Sequence, residues 1–172
     1  HWAERKLSAS AISIDKISYG NGKFVISGDY SGFFESTDGL DWTKIQAERV
    51  GSIVRWKNGY VGFNWLYHDS IVFSADGVNW TRGPKYGDRY SVPYIESFGD
   101  TLVVFSGTNG SGQLSLDGLR WEPIPDFPGV KFIIRDGSQY LGSSIVPGYF
   151  YESSDLKTWR ALPMASGFSK AY

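Results

Sequence analysis

Short apolar stretches recur along the whole chain, each closed by Gly, Asn, Asp or Ser, and no stretch repeats at the 3.6-residue spacing of an amphipathic helix. In KISYGNGKFVISG, residues 16–28, apolar and polar positions alternate on both sides of Asn21-Gly22. The same layout surrounds Asn58-Gly59, Gly99-Asp100 and Asp136-Gly137. These dipeptides accept positive φ, so each predicts a tight hairpin between two strands. Beyond every hairpin stand two more apolar stretches, separated by STDGLDWT from 36, SADGVNWT from 74, SLDGLRWE from 115 and SSDLKTWR from 153. The Asp residues of these boxes, Asp38, Asp76, Asp117 and Asp155, are 38, 41 and 38 residues apart. A fixed period in that range marks a repeat protein, and four antiparallel strands per period make the blade of a β-propeller. The expected fold is therefore all-β, a propeller of four-stranded antiparallel blades, with repeats at 12–46, 51–84, 92–125 and 130–163 in a single domain spanning 1–172.

The boxes have a physical reason to recur. Between the third and fourth strands the chain must reverse. An Asp carboxylate there accepts backbone N–H bonds, a Ser hydroxyl adds another, and Gly supplies a conformation other residues resist. The Trp that begins strand four lays its ring over the turn and needs a partner for its indole N–H. The motif reads as a structural staple. A calcium site built from one Asp per turn would be under-liganded, because Ca²⁺ takes six to eight oxygens.

These residues resemble the Asp-box, or bacterial-neuraminidase repeat, in a shortened form where Gly directly follows Asp. Ser36, Asp38, Gly39 and Trp42 match in the first box, Ser74, Asp76, Gly77 and Trp80 in the second, and Ser115, Asp117, Gly118 and Trp121 in the third. The fourth keeps Ser153, Asp155 and Trp159 but has Leu156 in place of Gly, which leaves its turn geometry open. The phrase YGNGKFVISG, residues 19–28, with a box eight residues on, is similar to repeats found in tandem in bacterial secreted and cell-surface propellers. The resemblance implies the fold, an extracellular or cell-surface location and a bacterial source. It leaves function open, because Asp-box propellers occur in sialidases, other glycoside hydrolases, photosystem-assembly factors, sorting receptors and adhesins.

Partial units flank the four whole ones. HWAERKL aligns with the segment after a box, and GFSKAY with the first strand of a further unit. Two arrangements follow: a segment of a larger propeller, which is the preferred one, or a small ring of four or five blades completed with rearranged ends or by another subunit.

Composition narrows the function classes. Seventeen basic against eighteen acidic residues give a net charge of −1, with no basic run, so nucleic acid is not an expected partner. Cysteine is absent, which excludes disulfides and thiolate chemistry. No apolar run approaches the roughly 18 residues of a membrane span, and HWAERKLSAS lacks the apolar core of a signal peptide. No cofactor or metal is expected.

Catalytic constellations are hard to assemble. A sialidase needs an Arg cluster, a Tyr nucleophile assisted by Glu and an acid/base Asp. The family's Arg-Ile-Pro element is missing, and Arg55, Glu96 and Arg135 fall in different registers of the aligned units. A two-carboxylate glycosidase needs a matched pair of acids, and none can be nominated. GTNGSG, residues 107–112, lacks the Lys of a phosphate loop. Binding remains. The loops joining strands two and three differ most between units and carry Tyr30, Trp65, Tyr67, His68 and Tyr149, whose rings and polar edges suit a sugar face or a protein surface. The expectation is a non-enzymatic binding or display module for a glycan or protein. The alternative is a segment of a sialidase-like or other glycoside hydrolase with catalytic residues lying partly elsewhere.

Overall fold

A computed structural model describes residues 14–28, 32–45, 50–64, 70–85, 93–106, 110–144 and 148–163. They form sixteen strands in four antiparallel sheets, each meandering in chain order. Blade I holds β1 (Ile14–Gly20), β2 (Lys23–Gly28), β3 (Phe33–Ser36) and β4 (Thr43–Ile45). Blade II holds β5 (Val50–Trp56), β6 (Gly59–Asn64), β7 (Ser70–Ser74) and β8 (Thr81–Lys85). Blade III holds β9 (Pro93–Phe98), β10 (Thr101–Ser106), β11 (Gly112–Ser115) and β12 (Glu122–Pro123). Blade IV holds β13 (Val130–Asp136), β14 (Gln139–Ser144), β15 (Tyr149–Ser153) and β16 (Arg160–Pro163). The blades stand side by side around a central axis with the first strand of each innermost, so the protein is a β-propeller of four four-stranded blades.

One rule joins the blades. Cross-strand pairs such as Val25↔Glu35 and Ser27↔Phe33 place alternate residues on one side of a sheet, here called the forward face. The forward face of blade I, with Val25 and Phe33, packs on the rear face of blade II, with Ile53, Tyr60 and Val72. Val54, Val61, Phe63 and Ile71 of blade II pack on Ile95, Leu102 and Val104 of blade III. Val103, Phe105 and Leu114 of blade III pack on Ile133 and Leu156 of blade IV. Most of the core therefore lies between sheets, and each apolar side chain taken out of water there contributes about 1.5–3 kcal/mol.

Two hairpins differ from expectation by one residue. Asn21-Gly22 and Gly99-Asp100 are the turn residues of blades I and III as predicted. In blade II Trp56 pairs with Gly59, so the turn is Lys57-Asn58, with Lys57 at φ 50°. In blade IV Asp136 pairs with Gln139, and the turn is Gly137-Ser138. Gly59 answers a packing need instead: a Cβ on it would lie 2.4 Å from the carbonyl oxygen of Ser74.

Candidate functional site

The four Ser-x-Asp turns have one hydrogen-bond scheme. In blade I the Gly39 amide donates to Ser36 Oγ (2.8 Å), and Asp38 Oδ1 accepts from the amides of Leu40 (2.8 Å) and Asp41 (3.0 Å). Trp42 Nε1 donates to the Gly39 carbonyl at 3.2 Å. Asp76, Asp117 and Asp155 accept from the amides two and three residues on in the same way. Trp80, Trp121 and Trp159 donate to the carbonyls of Gly77, Gly118 and Leu156. The staple is thus formed four times over. The fourth turn, left open by the sequence, keeps the same geometry: Leu156 takes φ 65° and its amide donates to Ser153 Oγ at 2.9 Å. Its side chain is buried among blade III residues, and that packing holds a non-glycine residue in the left-handed region.

Backbone amides hold all four carboxyls below the usual carboxylate range. A folded-state pKa below the unfolded one adds stability above about pH 4 and loses it as pH falls through the folded value. Asp117→Asn is accordingly expected to unfold at a lower temperature near pH 7 and to lose less stability than the parent on acidification. Thermal melts across pH 2–7 test this, and superimposable parent and variant profiles would refute the staple.

The hairpins β1–β2 and the Ser-x-Asp turns lie at one end of each blade, and the end of β2 and start of β3, with their counterparts, lie at the other. Of the candidate ligand-binding residues, Tyr149 lies at that second end. Tyr149 opens β15 opposite Pro163 and is 46% exposed. Tyr30, Trp65, Tyr67 and His68 lie outside the described residues.

Two ionic clusters escaped the sequence reading because their members come from different blades. Glu35 on the forward face of blade I accepts hydrogen bonds from Lys23 and from the Tyr60 hydroxyl of blade II, and Arg55 Nη1 lies 4.0 Å from it. The Arg55 guanidinium sits 4.3 Å from the Tyr60 ring centre. Burial opposes the Glu35 charge, yet these partners hold its carboxyl below the ordinary range. Burial, with the Glu35 bond, pushes Tyr60 up to about 12. A phenol so stabilised in its protonated form and enclosed between sheets is a structural hydrogen-bond donor, and a nucleophile would need the opposite shift. The second cluster lies at the axis, where Lys16 Nζ of blade I meets Glu96 Oε1 of blade III at 2.9 Å and donates to the Ile95 carbonyl. Arg135 is exposed and donates to the Gly137 carbonyl. Arg55, Glu96 and Arg135 therefore engage three separate sets of partners and do not form one site.

Open grooves lie at the Ser-x-Asp end, one within blade II and one between blades III and IV. One, of about 480 Å³, is lined by Trp56, Tyr60, Phe73, Asp76 and Asn79. Another, of about 420 Å³, is lined by Leu114, Asp117, Arg120, Tyr140 and Lys157. Among the described residues no group of three His, Asp or Glu is placed to hold a metal, and no helix is long and apolar enough to cross a membrane.

Fold and repeat together define a β-propeller repeat module. No protein-family model and no curated protein matches the chain. Solved propellers do. A virginiamycin B lyase from Staphylococcus aureus superposes with TM-score 0.69 at 10% identity, over 94% of this chain and 59% of that one. YCF48 from Cyanidioschyzon merolae gives 0.64 at 12% identity over the same shares. YCF48 bound to D1 peptide gives 0.63 at 15% identity, over 88% and 53%. At these identities the likeness is one of fold, and the chain spans less than three-fifths of the length of these structures.

Proposed function

We propose that the protein is a non-enzymatic binding module of the Asp-box class, displayed at a bacterial cell surface or outside the cell, which recognises a protein segment or a glycan with its β2–β3 loop end. The observation carrying this reading is a division of labour between the two ends. The repeated acids spend their carboxylates on backbone amides at one end, making a rigid frame, while the sequence between the second and third strands, which meet at the other end, varies in its aromatic residues from unit to unit. Rigid frames with variable loops are where recognition is usually built. Support for a protein ligand comes from the peptide complex of YCF48, a propeller of similar fold.

Parallel peptide-array and glycan-array screens, with Trp65→Ala, Tyr67→Ala and Tyr149→Ala variants beside the parent, test the proposal. Selective binding is expected, with affinity falling roughly tenfold or more on loss of an aromatic anchor. Turnover of a defined substrate that vanishes when a single acid or Arg is replaced would overturn it.

A further inference from the structure

We propose that the groove between blades III and IV at the Ser-x-Asp end is a carboxylate site, which takes the glutamate side chain of a protein segment laid along it. The molecule holds an occupied version of this site. At the junction of blades I and II the Glu35 carboxylate accepts hydrogen bonds from Lys23 and the Tyr60 hydroxyl, with Arg55 Nη1 4.0 Å away and the guanidinium 4.3 Å from the Tyr60 ring centre. Arg55 and Tyr60 are cross-strand partners in β5 and β6. The same couple recurs in blade IV, where Arg135 pairs with Tyr140 and lies 5.6 Å from its ring centre. Blade III, which packs on that side of blade IV, has no acid to offer it. Leu114 stands in the register of Glu35, directly before the Ser of the box, and Thr101 stands where blade I has Lys23. At the junction of blades II and III, Phe73 and Leu102 occupy the registers of Glu35 and Tyr60, so that junction is apolar throughout.

Tyr140, Thr101 and Leu114 line instead the open groove of about 420 Å³. The Tyr140 and Thr101 hydroxyls and the Arg120 guanidinium, which also lines it, make no side-chain hydrogen bond among the described residues. Charge at the flanking turns is reversed from the first junction. The turn positions held there by Asp41 and Val78 are Arg120 and Lys157 here, and both reach the groove. The acids beside them are engaged. Asp117 and Asp155 accept backbone amides, with the Arg120 charge acting on Asp117 as well, and Glu122 accepts from Lys157 at 3.2 Å in an exposed pair that a ligand carboxylate can replace. Leu114 and Leu156, 8% and 3% exposed, form an apolar floor. Free donors and cations above an apolar floor suit an acidic residue flanked by apolar ones, because hydrogen bonds to an ionised carboxylate are the strong ones. The site lies at the end opposite the loops assigned to recognition above, so either assignment can fail without the other.

The probe is a peptide copy of residues 32–37, GFFEST, which supplies Glu35 to the first junction, acetylated and amidated so that the carboxylate is its one charge. Titration into the full chain, followed by amide NMR shifts, is expected to give saturable shifts at the Ser-x-Asp turns of blades III and IV. The same peptide with Glu35→Gln should bind about tenfold more weakly. Tyr140→Phe, which removes one oxygen, and Arg120→Ala, at an exposed turn position, should each weaken the Glu peptide about tenfold and the Gln peptide little. Lys131→Ala, exposed at the far end of blade IV, should change neither. Unsaturable shifts, equal binding of the two peptides, or binding indifferent to both groove variants would each sink the proposal. A Gln peptide with a free terminal carboxylate that binds as tightly as the capped Glu peptide would overturn the choice of a side chain as the source.

Discussion

Replacing Glu96 by Ala is expected to lower the free energy of unfolding by about 3–5 kcal/mol, because it leaves the Lys16 ammonium enclosed at the propeller axis without its counter-charge. The pair is well shielded, with the two side chains 12% and 17% exposed and 2.9 Å apart. Burial pushes the Glu96 carboxyl above its usual range against the pull of Lys16, and burial lowers the Lys16 ammonium. Both charges are thus held at a desolvation cost that each offsets for the other. A domain stable by roughly 5–15 kcal/mol would lose a large part of that margin. Removing both charges should behave differently: Lys16→Met with Glu96→Met replaces the pair by apolar volume and is expected to recover most of the loss. Denaturant unfolding of Lys16→Met, Glu96→Met and the double variant forms a complete cycle. Additive single effects would show that the two groups do not interact, and the account of the axis would fail.

Gly118→Leu is the second large change, with an expected loss of roughly 2–5 kcal/mol from overpacking and a strained backbone. Gly118 has φ 75°, and a Cβ there would lie 2.8 Å from Cε1 of Phe73 and 3.3 Å from Cη2 of Trp56 across the blade boundary. Yet Leu occupies the same turn position in blade IV, at residue 156. The difference lies in the facing sheet: Phe73 pairs with Val61 in blade II, and the matching residue of blade III, paired with Val103, is the smaller Leu114. Phe73→Leu should therefore relieve much of the damage done by Gly118→Leu, reproducing the Leu114–Leu156 arrangement. A double variant as unstable as the sum of its parts would locate the cost in the backbone alone.

That pair of positions shows how far local reasoning reaches. The four turns were legible in the sequence because their bonds join residues two or three apart, and such bonds depend on residue type and spacing alone. Leu156 looked like a defect for the same reason, since its compensating neighbour lies in another blade. The hairpins tell a similar story. Asn21-Gly22 turned where its dipeptide predicted, while Gly59 proved to be required by the approach of the Ser74 carbonyl, moving the turn to Lys57-Asn58. The candidate site was legible as a loop end with varied aromatics. Of its five residues the described structure places Tyr149, exposed at that end.

By itself, then, the sequence determined the strand content, the forty-residue repeat and the stapled turns, because a period-two pattern and short-range hydrogen bonds are written in consecutive residues. Tertiary structure alone decided which face of each sheet lies under the next. It brought Lys16 to Glu96 and Glu35 to Tyr60 and Arg55, and it left Ile17 and Ile134 in water. Alternation assigns residues to two sides of a sheet, and only the stacking of blades makes one of those sides an interface.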